Sequence, residues 1–307
     1  MNRGFRIGID LGGTKIEVIA LDPEGAVLMR HRFDSPQGDY GRTLDAIEHA
    51  VALAEARIGV PASVGIGTPG ALSRFTGCLR NSNSTWLNGQ PLLDDVELRL
   101  GRPVRIANDA NCFALSEAID GAGAGADVVL GVILGTGTGS GIVAGGRLLT
   151  GVNAIAGEWG HNPLPWLQAG DLPPPPCWCG KVGCIETYLS GPGMAWDHLA
   201  ATGLGLDAAA IAARAVSGDP AATATLDRYV ERLARGLAQV INLLDPDVIV
   251  LGGGLSKIGM LYDRVPPLWG RHVFCDHVAT RLVLNRHGDA SGVRGAAWLW
   301  NEPGSAS

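Results

Sequence analysis

The chain opens with three short apolar runs whose alternation is typical of β-strands. These runs cover residues 5–9, 16–21 and 26–33. Turn-forming residues separate them, a glycine pair at 12–13 and an Asp-Pro-Glu-Gly segment at 22–25. Since both kinds of segment are typical of tight reversals between strands, the pattern predicts an antiparallel three-stranded meander.

The same plan recurs near the middle of the chain. Residues 127–134, 141–144 and 147–150 are predicted strands, and glycine-rich connectors lie between them at 135–139 and 145–146. A repeated meander predicts an internally duplicated chain.

Alternating helix and strand signals follow each meander. In the first half, apolar residues at three- and four-residue steps predict one face of a helix: Leu44, Ile47, Val51, Ala54 and Ile58. A strand is predicted at 63–66. In the second half, the same spacing predicts a longer helix: Leu226, Tyr229, Leu233, Leu237, Val240 and Leu244. A fully apolar strand at 248–251 follows it. We therefore expect two α/β lobes that face each other across a cleft.

Composition and charge narrow the class of partner. The 307 residues are 46% hydrophobic and 18% charged, which is typical of a folded globular protein. The net charge is -6 and no run of Lys or Arg occurs, so we expect no nucleic-acid and no membrane partner. The apolar run at 128–134 is too short to span a bilayer, and the N-terminus has no apolar signal region. We expect a cytoplasmic protein with a small-molecule partner.

A glycine-rich hairpin at residues 10–15 is the first candidate for phosphate binding. Its glycines let backbone amides approach an anion without a Cβ in the way. Residues 16–20 alternate like a strand, whereas Walker and dinucleotide motifs require a helix directly after the glycines. Taken alone, the segment is equally compatible with an ordinary two-residue hairpin.

A second glycine segment at 135–139 lies at the equivalent place in the second meander, and two facing hairpins could clamp a triphosphate. Lys15 is one of three lysines in a chain with 21 arginines, and its point charge suits a phosphate oxygen. Asp10, beside the first hairpin, is a candidate holder of Mg²⁺, which keeps several of its waters. The pair of hairpins is therefore a candidate site for a triphosphate with Mg²⁺.

Four residues have the composition of a zinc site. Cys177, Cys179 and Cys184 lie within eight positions, and His161 precedes them by sixteen. One imidazole and three thiolates make a closed tetrahedral set, which is typical of structural Zn²⁺. Three inert cysteines and a core histidine are the alternative.

These motifs together resemble the actin-like (ribonuclease-H-like), hexokinase-type ATPases, and within them the ROK family of bacterial sugar kinases and repressors. The resemblance rests on the two glycine hairpins, on Glu158-x-Gly160-His161 and on the cysteine segment 177–186, and it extends from Arg6 to Trp300. It implies a duplicated α/β fold of two lobes with a cleft. Residues 1–120 would form the small lobe, with 290–307 returning to it, and 121–289 the large lobe with the zinc site. A homodimer is also expected.

The resemblance assigns roles to individual residues. Asp109 becomes the general base on the sugar hydroxyl, although an isolated Asn-Asp pair before a helix is otherwise interpreted as a cap. The helix N-terminus would keep Asp109 ionised and therefore a weak base. The residues expected to contact the hexose are Asn83, Asn108, Asp109, Glu158, His161 and Glu186. Those expected to contact the nucleotide are Gly8, Ile9, Asp10, Leu11, Gly12, Gly13, Thr14, Lys15, Leu134, Gly135, Thr136, Gly137, Thr138, Gly139, Ser140, Gly141, Gly253 and Gly254.

Three stretches, 83–91, 158–166 and 287–297, resemble the fructokinases of the mannofructokinase type within this family, so fructose is the expected hexose. Glucokinases and N-acetylhexosamine kinases would share every catalytic residue and are alternatives. A non-catalytic sugar-sensing regulator is the alternative from another class. The family's repressors need a helix-turn-helix segment ahead of the first lobe, and Asp10 arrives too early for one. Trp159, Trp166 and Trp178 could stack on a sugar, with core or dimer packing as the other interpretation.

Overall fold

A computed structural model describes residues 4–301. Its strands, numbered in chain order, are β1 (Arg6–Leu11), β2 (Lys15–Leu21), β3 (Val27–Asp34), β4 (Ser63–Thr68), β5 (Ala71–Leu72), β6 (Leu79–Arg80), β7 (Val104–Asn108), β8 (Val128–Leu134), β9 (Thr138–Ala144), β10 (Arg147–Leu148), β11 (Val248–Gly252) and β12 (Arg281–Leu284). Its α-helices are α1 (Tyr40–Ile58), α2 (Leu92–Leu100), α3 (Asp109–Ile119), α4 (Glu186–Leu189), α5 (Gly191–Thr202), α6 (Ala208–Val216), α7 (Pro220–Leu244), α8 (Met260–Arg264) and α9 (Ser291–Trp298).

Two five-stranded sheets have matching topologies. The first has the order β3-β2-β1-β4-β7 and the second β10-β9-β8-β11-β12. In each sheet the central strand pairs antiparallel with the hairpin partner that follows it and parallel with a later strand. The prediction of a duplicated α/β architecture is confirmed.

The strand boundaries differ from the predicted ones at both glycine hairpins. Strand β1 continues to Leu11, and β9 already begins at Thr138. The reversals are therefore shorter than predicted and cover only residues 12–14 and 135–137. The hydrogen bonds between the paired strands therefore continue up to the three residues of each glycine turn.

Helix α1 shows how local sequence defines an element. The Asp39 side chain caps its first turn by accepting from the Arg42 N–H at 3.0 Å. Gly59 ends it at φ 85°, a left-handed conformation that glycine adopts without a Cβ penalty. The residues that α1 buries follow the predicted face: Thr43, Leu44, Ile47, Ala50, Val51 and Ala54.

Helices α3 and α9 fill the space between the two sheets. A Cβ on Gly8 of β1 would lie 2.1 Å from the Val293 carbonyl oxygen, so glycine is required where α9 crosses the first sheet. A Cβ on Gly295 would lie 1.6 Å from the Cys112 oxygen, which brings α9 equally close to α3. The indole of Trp300 donates to the Val64 oxygen at 2.6 Å. The C-terminal helix thus packs on the first sheet, whereas the lobe boundaries at 120 and 290 stay predictions.

None of the helices within residues 4–301 combines the length and the apolar character that crossing a bilayer requires.

Candidate active site and metal centre

The tips of the two glycine hairpins contact different parts of the chain. A Cβ on Gly13 would lie 3.1 Å from the Ser84 hydroxyl, so the first tip lies against the loop that follows β6. In the second hairpin, the Gly135 N–H donates to the Gly137 oxygen at 3.0 Å. The Gly135 oxygen in turn accepts from the Gly191 N–H at 2.7 Å. The second tip is therefore held at the first turn of α5.

Not all residues of the predicted nucleotide site face a cleft. The side chains of Ile9, Leu11 and Leu134 are buried in the apolar core. Gly8 faces α9, and a Cβ on Gly141 would lie 2.6 Å from the Ala110 oxygen in α3. The side chains of Ile9, Leu11 and Leu134 pack behind the hairpins, and glycines 8 and 141 lie close to helices, so a nucleotide contact at these five positions would come from the backbone. The nucleotide contacts stay predictions.

A cavity of about 1020 Å³ lies beside the second hairpin. Its wall includes Gly135 and Thr136 from the hairpin and Gly254 from the segment after β11. Alanines of α6 and Met260 add apolar surface. An apolar pocket of this size beside backbone amides suits a nucleoside with its phosphates at the hairpin. Lys15 lies at the other hairpin, where it forms an exposed ion pair with Asp34.

Asp10 and Asp109 lie at the carboxyl ends of β1 and β7, where their charges interact. Burial is the main cause that raises the pKa of Asp10 to about 7, and the carboxylates of Asp109 and Glu17 raise it further. A divalent cation would favour the ionised form of such a group. Asp10 and its surroundings therefore fit Mg²⁺, which would neutralise phosphate charge.

Asn108 and Asp109 have different positions at the start of α3. Asn108 is the N-cap, and its Oδ1 accepts from the Ala110 N–H at 2.9 Å. Its Nδ2 donates to the Gly70 oxygen at 3.1 Å, which leaves one amide hydrogen for a sugar hydroxyl. Asp109 is the first helical residue, and the N-cap is Asn108. The alternative interpretation, in which Asp109 serves only as the helix cap, is therefore not supported.

The basicity of Asp109 differs from the expectation. Burial raises its pKa, and the nearby Glu158 carboxylate raises it further, against the lowering effect of the Ala110 N–H. Desolvation therefore outweighs the helix N-terminus at this carboxyl, so its pKa lies above its ordinary value, and the role of Asp109 as a base stays a prediction. A raised pKa makes Asp109 a better proton acceptor.

Residues 157–161 present Glu158 and His161 beside the second hairpin. A Cβ on Gly160 would lie 2.0 Å from the Thr138 oxygen, so only glycine permits this close approach. Trp159 is buried, and its indole donates to the Gly236 oxygen in α7 at 3.1 Å. Trp159 is therefore a core residue, and its hydrogen bond to α7 fixes the turn at 157–161.

The predicted zinc ligands converge. The ligand atoms of His161, Cys177, Cys179 and Cys184 all lie within 4.8 Å of one another. His161 Nδ1 is 3.7 Å from Cys177 Sγ, and Cys179 Sγ is 3.6 Å from Cys184 Sγ. A tetrahedron with Zn–S bonds of about 2.3 Å has edges of about 3.8 Å, so the spacing fits Zn²⁺.

The environment of the thiols also favours a cation. Burial, together with the neighbouring thiols, raises the pKa of Cys184 to about 12. Burial raises the pKa of Cys177 as well, whereas hydrogen bonds from the Lys181 backbone and the neighbouring thiols lower the pKa of Cys179 against desolvation. A metal ion would supply the charge that lets the two buried thiols ionise. The metal would join the turn at 159–161 to the loop at 177–184, with every ligand position filled by protein.

Glu186, the first residue of α4, is held from two sides. Its Oε2 accepts from the Thr138 N–H at 2.8 Å, and its Oε1 accepts from the Trp178 indole at 2.6 Å. Each carboxylate oxygen retains a lone pair for a sugar hydroxyl.

Asn83, in contrast, is exposed in a loop. The Asn88 side chain stabilises this loop by hydrogen bonds with the backbone N–H and oxygen of Ser82. The proposed sugar contacts of these residues stay predictions.

A buried ionic network behind the metal centre was missed at the sequence level. Asp171 accepts from Arg232 and from Arg235 of α7, each at 2.8 Å. Arg235 also donates to the carbonyl oxygens of Pro165 and Trp166 at 3.0 and 2.7 Å. The network therefore anchors the segment between His161 and Cys177 to α7. The sequence did contain a signal for this network, because Arg232 and Arg235 lie three positions apart on the apolar face of a predicted helix and would need buried carboxylate partners.

Replacing Asp171 with alanine should destabilise the protein by about 3 to 5 kcal/mol, because buried Arg235 loses its carboxylate partner and Arg232 keeps only Asp197. The midpoint of urea unfolding measures the effect. Asp227, which pairs with Arg264 at 2.8 Å on the surface, is the matched control. Its replacement should cost at most about 1 kcal/mol. Equal costs for the two variants would contradict a structural role for the network.

Comparison with known proteins identifies relatives along nearly the whole chain. The family model described as "ROK family" matches residues 6–303. N-acetyl-D-glucosamine kinases of Salmonella paratyphi A (strain ATCC 9150 / SARB42) and Salmonella choleraesuis (strain SC-B67) are 43% identical over 296 residues. These alignments cover 95% of this chain and 98% of each relative.

Solved structures of similar proteins share the fold. The ROK hexokinase from Thermus thermophilus matches with a TM-score of 0.84 at 31% identity, covering 95% of this chain and 96% of that one. A ROK family glucokinase from Streptomyces griseus, solved with glucose and AMPPNP, matches with a TM-score of 0.75 at 32% identity, covering 96% and 99%.

Proposed function

Because this chain belongs to the ROK family and is an ATP-dependent sugar kinase, we propose that it phosphorylates N-acetyl-D-glucosamine. The observation that carries the choice of sugar is the 43% identity to N-acetyl-D-glucosamine kinases over 98% of their length. These relatives support the N-acetylhexosamine alternative rather than fructose.

Fructose is the second candidate. It is favoured by the three stretches at 83–91, 158–166 and 287–297, which resemble the fructokinases of this family. The two sugars differ in ring form and in the acetamido group, so the loops that line the sugar pocket decide between them.

In the proposed reaction, Asp109 accepts the proton of the sugar hydroxyl that attacks the γ-phosphate. Its raised pKa and its position at the carboxyl end of β7 support this role. Phosphoryl transfer depends chiefly on positioning and charge neutralisation, so the base takes the proton late. The amides of the two glycine hairpins and Lys15 would hold the phosphates, and Mg²⁺ beside Asp10 would supply positive charge.

Glu158, Glu186 and His161 would hold the hydroxyls of the sugar. His161 can serve both the metal and the sugar, because its two ring nitrogens are distinct. Nδ1 lies near the thiols, and a metal there fixes the hydrogen on Nε2, which becomes a donor. Zinc would thus shape the pocket without touching the reacting atoms. A homodimer and a cytoplasmic location stay predictions.

A coupled ADP-release assay across N-acetyl-D-glucosamine, fructose, mannose and glucose tests the proposal. We expect kcat/KM for N-acetyl-D-glucosamine to exceed that for each other sugar by at least about 10- to 200-fold, the discrimination that a pocket gains from a single methylene-sized group. The Asp109→Asn variant, purified in parallel, gives the background from contaminating kinases. A preference for fructose would instead support the second candidate, and a lack of turnover with every sugar would support the regulator.

A further inference from the structure

Trp178 lies between two proposed zinc ligands but does not pack like a core residue. Its side chain is 70% exposed, whereas the adjacent Cys177 is buried. The indole Nε1–H donates to Glu186 Oε1 at 2.6 Å. Its ring system and the His161 ring meet edge to face, with a centroid distance of 5.0 Å and an interplanar angle of 83°. One side chain thus contacts two residues of the proposed sugar pocket.

The contact with Glu186 completes a chain of interactions. The other carboxylate oxygen of Glu186 accepts from the Thr138 N–H, at the start of β9 and next to the second hairpin. Trp178 therefore connects the cysteine loop, through Glu186, to the backbone that would carry the phosphates. Hydrogen bonds to an ionised acceptor are stronger than those between neutral groups, so the indole is an effective tether.

Open space beside the Glu186 carboxylate gives such a tether a function. A cavity of about 330 Å³ lies beside the carboxylate, between Trp178 on one wall and Trp196 of α5 on another. Without the indole bond, Glu186 could rotate into this space and away from the sugar. The Thr138 N–H alone holds one oxygen and leaves the other without a partner.

We propose that Trp178 is a positioning residue, which holds Glu186 and His161 in the orientation that binds the sugar. The proposal rests on the proposed function, since it concerns the same pocket. It does not depend on which hexose is bound, because both contacts are with groups that would bind hydroxyls common to hexoses.

The test compares Trp178→Phe with the matched control Trp196→Phe on the other wall. Phenylalanine retains an aromatic ring against His161 and lacks the N–H. We expect Trp178→Phe to raise the sugar KM and the calorimetric Kd by about tenfold or more, the effect of losing a bond to a charged group. We expect kcat within about threefold of wild type, the mark of a lost binding contact. Trp196→Phe should change neither constant by more than about twofold.

Three further measurements separate positioning from folding. The zinc content of Trp178→Phe should equal that of wild type, because no metal ligand is altered. In ¹⁵N-labelled protein, the indole N–H resonance that Trp178→Phe deletes should shift in the Glu186→Gln variant and on addition of N-acetyl-D-glucosamine. In the Glu186→Gln background, Trp178→Phe should add little to the rise in KM.

A sugar KM and Kd for Trp178→Phe within about twofold of wild type would overturn the proposal, as would a loss of zinc that accounts for the defect. An indole resonance indifferent to Glu186→Gln would also overturn it. Wild-type protein that neither binds nor phosphorylates any of the four sugars would overturn the proposed function. This result is distinguishable from failure of the positioning proposal alone, in which the wild type is active and Trp178→Phe has the same sugar KM and Kd.

Discussion

Replacing Asp109 with asparagine should lower kcat by about two to four orders of magnitude, the usual cost of removing a general base. The amide has nearly the shape of the carboxylate and cannot accept the proton of the sugar hydroxyl. The Asn108 side chain, and not Asp109, caps α3, so the helix should keep its start in the variant. Steady-state turnover measured beside sugar-binding calorimetry checks the prediction, with turnover lost and the Kd nearly unchanged.

The pH dependence of turnover provides an independent control. Burial raises the pKa of Asp109, and the base acts only when deprotonated, so kcat of the wild type should fall as pH decreases through that raised pKa. The residual activity of Asp109→Asn should lack this acidic limb. Turnover within a few-fold of wild type, with the acidic limb retained, would show that another group accepts the proton.

Removing zinc is expected to lower the melting temperature and the sugar affinity together. The ligand set joins the turn that carries His161 to the loop at 177–184, which directly precedes Glu186. Structural zinc sites contribute about 10 to 16 kcal/mol of binding free energy in isolated zinc-finger peptides, so metal loss should unfold this segment even if the lobes persist. Metal analysis should give about one zinc per chain.

The Cys184→Ser variant should reproduce the effect of chelation, since it removes one of four ligands. Cys275→Ser is the matched control, because this exposed thiol lies outside the ligand set and its loss should leave zinc content and melting temperature unchanged. Thoroughly washed protein without zinc, but with normal melting and sugar affinity, would contradict a structural role for the metal.

The sequence by itself determined the elements that depend on near neighbours. Glycine turns and alternating apolar residues specified both hairpins, because strand reversal needs only a few residues of local chemistry. The apolar spacing in α1 specified its buried face in the same way. Cys177, Cys179 and Cys184 identified the candidate metal centre, because closely spaced thiols can reach one ion without knowledge of the rest of the chain.

The tertiary structure alone decided the properties that arise where distant segments meet. The pKa of Asp109 depends on burial and on Glu158, and neither is readable from the Asn-Asp pair. The Thr138 partner of Glu186 and the arginine partners of Asp171 come from segments that the linear pattern does not connect. Local propensity reports what a residue can do, whereas desolvation, Coulomb interactions and hydrogen bonds depend on which atoms the fold brings within a few ångströms.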